Sequence, residues 1–235
     1  RYLIARNKPN RHIEFDTGGS LLEMADQYER LLATWKEDER PDENSTDRVK
    51  TAWEVDRAKI SLSQTESDKE KLDTVATNIS FRHLSMLAQI RSNDVDVWDS
   101  LQKSGLLEKQ PSKSLKDRLR RMRNWITSEH FPEENKIIIQ KELSEEARKS
   151  FNQGDLEYLT ELRDAYSNCE WTALEINNKI CNIAREQGIF LRNAFVILYQ
   201  IHLGRSHGPR LAAVLAEIPR DDAINALNRA INSLD

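Results

Sequence analysis

Residues Leu191 to Leu211 constrain the fold more than any other part of the chain. Leu191, Ala194, Phe195, Leu198 and Tyr199 recur at the spacing of one helical face. The run then breaks at Leu203-Gly204-Arg205-Ser206-His207-Gly208-Pro209-Arg210. Beyond the break, Leu211, Val214, Leu215 and Ile218 resume the same spacing. Two amphipathic helices joined by so short a turn must bury their apolar stripes against further elements, so this end of the chain has to be a helical bundle.

The rest of the chain extends that expectation. Only 7 Gly and 6 Pro occur among 235 residues, so regular elements should dominate. Leu21, Met24, Ala25, Tyr28, Leu31, Leu32 and Trp35 form a helical stripe after Gly18-Gly19. Residues 37–47 are almost wholly polar and read as an exposed loop. Trp53 and Val55 to Ile60 form a weaker segment that runs into the polar, expectedly mobile stretch Ser61–Asp73. Helices resume near Phe81, near Val97 with Gly105 just past the end, and over 113–125. Phe131-Pro132-Glu133-Glu134-Asn135 reads as the break between halves. Six helices are then expected at about 144–152, 155–166, 170–187, 190–203, 208–218 and 220–233, with Gly154-Asp155 and Gly188 between them. Ile137-Ile138-Ile139 favours a strand but is too isolated to imply a sheet. The expected class is all-α, with two helical-bundle subdomains, 19–131 and 132–235. Residues 1–18 precede them as a short irregular or β segment. Within it, residues 2–5 and 12–15 fit a helix end plus a strand, or a small hairpin.

Charge is informative locally rather than in total. The net charge is −4, yet Arg1, Arg6, Lys8 and Arg11 precede the first acid. Lys113, Lys116, Arg118, Arg120, Arg121 and Arg123 crowd another window. Cys169 and Cys181 have no partner at metal-ligand spacing and read as reduced thiols, which suits an intracellular, cytoplasmic protein. No stretch approaches the ~20 apolar residues of a membrane span, and no signal peptide is visible. The chain opens mid-pattern on Arg1-Tyr2-Leu3-Ile4 without Met, so it is expected to be part of a longer protein.

Signatures of catalysis are missing from the sequence. It contains no P-loop, no dinucleotide-binding glycine fingerprint, no His-Glu-x-x-His and no nucleophile elbow. Its five histidines do not pair at ligand spacing. Glu145-Glu146 and Asp221-Asp222 sit at expected helix starts, where they complement the dipole. Two features point instead to nucleic acid. Arg205, His207 and Arg210 share the Gly-Pro turn with exposed backbone N–H groups, a setting for phosphates and base edges. The basic helix 113–125 ends on Trp125, although Leu115, Leu119, Met122 and Ile126 define a neighbouring core face that Trp125 would join. A solvated cationic face accounts for that helix equally well. Arg82 and His83 stand at a helix start beside the core positions Phe81 and Leu84.

These residues bring a family into view. Leu203-Gly204-Arg205-Ser206-His207-Gly208-Pro209 between two helices resembles the C-terminal region of class I lysyl-tRNA synthetases. More distantly, it resembles the anticodon-binding domain of glutamyl-tRNA synthetases. Arg1-Tyr2-Leu3-Ile4-Ala5-Arg6 through His12-Ile13-Glu14-Phe15-Asp16 is similar to the segment after the catalytic signature loop of the lysyl type. Phe81-Arg82-His83-Leu84, after Ile79-Ser80, is similar to the start of its helical cage. Start, middle and end of the chain are matched in order.

The resemblance implies a tRNA-binding role. Neither His-x-Gly-His nor Lys-Met-Ser-Lys-Ser is present, so ATP and lysine are implied only for the intact enzyme, with no cofactor for this chain. Its implied partners are the anticodon end of tRNA(Lys) and the catalytic domain of the same full-length chain, with neither DNA nor membrane. By analogy with the glutamyl enzymes, Tyr199, Gly208, Pro209 and Leu211 are candidate anticodon contacts. Arg205, His207 and Arg210 join them on grounds of charge, and Arg82 and His83 through the cage match. Around Arg210 and Ala212 the chain departs from the glutamyl pattern, so base identity does not carry over. If Arg205 holds a phosphate, Arg205→Ala is expected to flatten the salt dependence of binding by about one unit. A glutamyl-type anticodon domain and a helical protein-interaction scaffold without an RNA role remain the alternatives.

Overall fold

The computed structural model describes residues 2–7, 12–13, 16–37, 40–63 and 79–233. The regular structure among those residues is entirely helical, with no strand. The chain divides into two compact units, residues 1–132 and 133–235.

The first unit contains α1 (Tyr2–Ala5), α2 (Gly19–Glu37), α3 (Asp47–Ser63), α4 (Phe81–Ile90), α5 (Asp94–Lys103) and α6 (Lys113–Ile126). Helix α4 packs on α2, α5 and α6, and α3 packs on α1 and α2. Ile79, Leu84, Leu87, Val97, Leu101, Leu119 and Met122 fill the core. Full burial of each such aliphatic side chain is worth roughly 1.5–3 kcal/mol. Helix starts are set by side chains that accept an otherwise unpaired backbone N–H. Ser80 accepts from His83, Asn93 from Asp96 and Ser112 from Leu115.

Two elements differ from the sequence expectation. Tyr2–Ala5 is one helical turn, which matches the helix end among the alternatives for residues 2–5 and not the irregular or β segment. Of the possible strand at 12–15, His12 and Ile13 have no regular structure, and Glu14 and Phe15 lie outside the described residues. The weak segment around Trp53 is a full helix, α3. Its apolar residues do not share one face: Val49, Val55 and Leu62 are exposed and only Ile60 is buried. A stripe-based reading underestimates such a helix, because one anchor replaces a buried face. The expected loop is shorter than 37–47, since α2 includes Glu37 and α3 begins at Asp47. Residues 64–73 of the expected mobile stretch fall outside the described residues.

The second unit contains a 3₁₀ turn at Glu133–Asn135 and helices α7 (Glu145–Ser150), α8 (Gln153–Asn168), α9 (Ala173–Glu186), α10 (Leu191–Leu203), α11 (Leu211–Ala216) and α12 (Arg220–Ile231). Helix α8 packs on α12 and α9, while α9 also packs on α10 and α11. Leu159, Leu162, Ile176, Ile180, Leu198, Val214, Leu215 and Leu227 form its core. Asn152 and Asp155 close a reciprocal capping box at the start of α8. Arg220 ties α12 to the end of α8. Its Nη2 donates to the Cys169 carbonyl at 2.7 Å, and its guanidinium lies 5.5 Å from the Trp171 ring centre. Asp221 and Asp222 stand in the first turn of α12, as the dipole argument expects.

Candidate nucleic-acid interface

Helix α10 ends at Gly204, whose φ of 66° is the left-handed conformation that costs glycine least. A side chain there would also meet Gln140: an added Cβ would lie 2.9 Å from the Gln140 Cδ. The Gln140 backbone N–H donates to the His202 carbonyl at 2.9 Å. The 137–140 segment thus meets the end of α10 through a backbone bond, and its β-favouring residues form no strand.

After Gly204 the turn is held from inside by two side chains. Arg205 donates through Nη1 to the Glu134 carbonyl at 2.7 Å. Its Nε and Nη2 are shielded from solvent and have no hydrogen-bond partner among the described residues. They lie against Gly208, where an added Cβ would be 3.3 Å from Nε and 3.1 Å from Nη2. Gly208 is therefore the residue that lets the guanidinium tuck beneath the turn. Tyr199 provides the second support. Its hydroxyl donates to the Pro209 carbonyl at 2.5 Å, with the Gly208 carbonyl at 3.4 Å. Burial pushes the phenol above its ordinary pKa, while a bond from the Leu211 backbone N–H and the charge of Arg205 offset part of that rise.

The outer surface of the turn is left for a partner. Ser206, His207, Gly208 and Arg210 are exposed, and Pro209 is partly so. His207 Nδ1 and Ser206 Oγ share a hydrogen bond of 3.2 Å. Arg210 has no ion pair, and the backbone N–H groups of His207, Gly208 and Arg210 make no hydrogen bond among the described residues. Leu211 points the other way: it is 1% exposed and anchors α11 in the core.

Just behind the turn, His202 is buried, and neither ring nitrogen has a partner among the described residues. Burial, reinforced by the positive charge of Arg229, pushes its pKa down to about 3. It is therefore a neutral core residue at ordinary pH.

The remaining sequence candidates lie in the other unit. The His83 N–H completes the Ser80 cap, and Arg82 Nε pairs with Asp26 at 2.5 Å while its side chain stays 49% exposed. In the basic cluster, structural duties occupy part of the charge. Arg118 donates to Glu29 and to the Ile79 carbonyl, and Arg123 to Asp94 and the Ala88 and Arg91 carbonyls. Trp125 donates its indole N–H to the Thr17 carbonyl at 2.7 Å and lies between Phe81, tilted at 48° to it, and Phe131, which it meets edge-to-face. The Glu134 and Gln140 supports were not apparent from sequence, because no local spacing links them to residues some 60–70 positions away. Among the described residues, no cluster of three His, Cys, Asp or Glu side chains could hold a metal. No helix there is long and apolar enough to cross a membrane.

Comparisons with known proteins place the chain in a family. The profile of the family described as anticodon binding domain matches residues 82–231. A lysine–tRNA ligase of Picrophilus torridus is 30% identical over 94% of this chain and 40% of its own length. The Thermoplasma volcanium lysine–tRNA ligase is 29% identical over 95% of this chain and 40% of its own length. For the Methanocaldococcus jannaschii lysine–tRNA ligase the identity is 28%, over 95% and 42% respectively. The chain thus spans about 40% of the length of these relatives. A glutamate tRNA ligase structure from Elizabethkingia meningosepticum, 18% identical, aligns with a TM-score of 0.39 over 65% of this chain and 32% of that one. With the family profile spanning the second unit and the capped helix α4 onward, this chain belongs to the anticodon-binding domain family.

Proposed function

We propose that this chain is the anticodon-binding region of a class I lysine–tRNA ligase, and that the Gly204–Arg210 turn meets the anticodon loop of tRNA(Lys). One observation carries the reading: Tyr199 and Arg205 fix the turn from within, while His207, Gly208 and Arg210 are exposed or part-exposed residues of the turn whose backbone N–H groups are unpaired among the described residues. Loop bases of RNA can splay out and offer their edges, and a lysine anticodon is rich in uridine, whose carbonyl oxygens accept hydrogen bonds. Unpaired N–H groups at His207, Gly208 and Arg210 match those acceptors. Pro209 keeps the backbone at this point rigid.

In this reading Arg210 and His207 meet phosphates, the contacts that position rather than specify. Tyr199, Arg205 and Leu211 are positioning residues that act through the turn. Arg82, half-exposed at the start of α4, and His83 beside it form a separate RNA contact in the first unit. ATP and lysine belong to the chemistry of the whole ligase, which attaches lysine to tRNA. The residues of this chain are assigned binding alone.

The test compares tRNA(Lys) binding by the wild-type chain and a His207→Ala, Arg210→Ala double variant. The variant should lose affinity for tRNA(Lys) and lose any preference over glutamate tRNA. Indifference of the wild-type chain to every tRNA would support a helical protein-interaction scaffold.

A further inference from the structure

The first unit has a cleft of about 490 Å³ that the anticodon reading does not use. Leu21, Phe81, Met122 and Trp125 supply its apolar lining, and Asp117, Arg118 and Arg121 its charged part. The volume lies within the roughly 300–1,000 Å³ of small-ligand sites and accommodates one nucleobase with its sugar.

Its aromatic wall is built to stay in place. The Phe81 and Trp125 ring centres are 5.7 Å apart, and the Trp125 indole N–H is fixed on Thr17. Arg118 lies 5.9 Å from the Phe81 ring centre, locked there by Glu29 and the Ile79 carbonyl. Arg121 differs. Its side chain is 76% exposed, and among the described residues its one ion-pair partner, Asp117, is shared with Arg120. Lys113, Lys116 and Arg120 continue the positive charge along one face of α6, at helical spacing i, i+3, i+7. The two lysines have no ion pair among the described residues. Four cations against one carboxylate leave this outer face net positive.

A rigid aromatic wall beside a track of cations is the arrangement that holds single-stranded nucleic acid: bases stack and phosphates follow the charge. We propose that the Phe81–Trp125 cleft takes one unstacked base of a single-stranded RNA segment, with Arg121 and the Lys113–Lys116–Arg120 stripe holding the phosphates on either side. The proposal rests on the reading of this chain as a tRNA binder, and it adds a site distant in sequence from the Gly204–Arg210 turn. The track is longer than one phosphate requires, which favours an RNA strand over a free mononucleotide.

The test uses the full chain with tRNA(Lys), a short oligouridylate, an abasic strand of equal length, and uridine monophosphate. The variants are Arg121→Glu, at an exposed position, and Phe81→Leu, which keeps apolar volume but removes the stacking ring. Lys149→Glu in the second unit applies the same charge change as Arg121→Glu. Wild type should bind the oligouridylate about tenfold more tightly than the abasic strand. Phe81→Leu should erase that preference, and Arg121→Glu should weaken both strands about tenfold, well beyond Lys149→Glu. Unchanged binding in Phe81→Leu and Arg121→Glu would overturn the proposal, as would equal affinity for the abasic strand or uridine monophosphate binding as tight as the strand. If wild type distinguishes anticodons while both cleft variants bind tRNA(Lys) normally, the cleft fails and the anticodon reading stands. Cleft-dependent RNA binding that ignores the anticodon would do the reverse.

Discussion

Tyr199 and Pro209, ten residues apart, are joined by a hydrogen bond from the phenol to the prolyl carbonyl, and this bond fastens the turn to the helix that leads into it. The hydroxyl thus acts on backbone rather than on solvent. Tyr199→Phe keeps the ring packing and removes the bond, so the chain should lose about 1 kcal/mol of stability. Affinity for tRNA(Lys) should fall severalfold with no change in its salt dependence, because no charge is removed. Denaturant unfolding and binding across a salt series check the two parts.

Arg205 and Gly208 should prove coupled. An alanine at 208 would press its Cβ to within 3.1 Å of Arg205 Nη2, so the guanidinium must shift by a few tenths of an ångström. Gly208→Ala should weaken tRNA binding, yet cost little further in an Arg205→Ala background. A double-mutant cycle should therefore show clear non-additivity, as expected for groups in contact.

The salt dependence of tRNA binding is expected to lie with Arg210 rather than Arg205. The Arg205 guanidinium is tucked against Gly208 and bonded to Glu134, whereas Arg210 is exposed and has no ion pair among the described residues. Arg210→Ala should reduce the slope of log affinity against log salt by about one unit. Arg205→Ala should lower affinity by loosening the turn and leave the slope nearly intact. The reverse pattern would move the phosphate contact back to Arg205.

Much of this was legible in the chain itself. All six helices expected after residue 140 are present, because most have a buried stripe and clear punctuation, such as Gly188 at φ 69° behind α9. The Gly-Pro turn was equally visible. Hidden were features set by tertiary position. Helix α3 lacks a stripe because only Ile60 is buried. Leu211 reads as a contact in the motif but faces the core, and Arg205 reads as a free cation but supports the turn. Nothing local announces the Glu134 carbonyl that fixes Arg205.

His202 gives the second unit a pH dependence of known sign. Its folded pKa of about 3 lies below the ordinary value of 6.5, so between those values the unfolded chain binds more protons. The stability associated with a neutral His202 is full above about pH 6.5 and falls as pH drops towards 3, by roughly 2 kcal/mol at pH 5. His202→Leu removes the titrating group and its unpartnered nitrogens. It should match or exceed wild type at pH 7 and lose less stability at pH 5. Unfolding curves at both values, with the difference between variant and wild type as the readout, isolate this group from the carboxylates.

The central claim is that the Gly204–Arg210 turn reads the anticodon of tRNA(Lys). Its most direct test is binding of the wild-type chain to tRNA(Lys) and to the same tRNA carrying a glutamate anticodon, at several salt concentrations. The account predicts tighter binding to the lysine anticodon at every salt, with the preference lost in the His207→Ala, Arg210→Ala variant. Equal, salt-sensitive binding to both tRNAs would contradict it, leaving the chain a basic RNA-contacting bundle that does not read the anticodon.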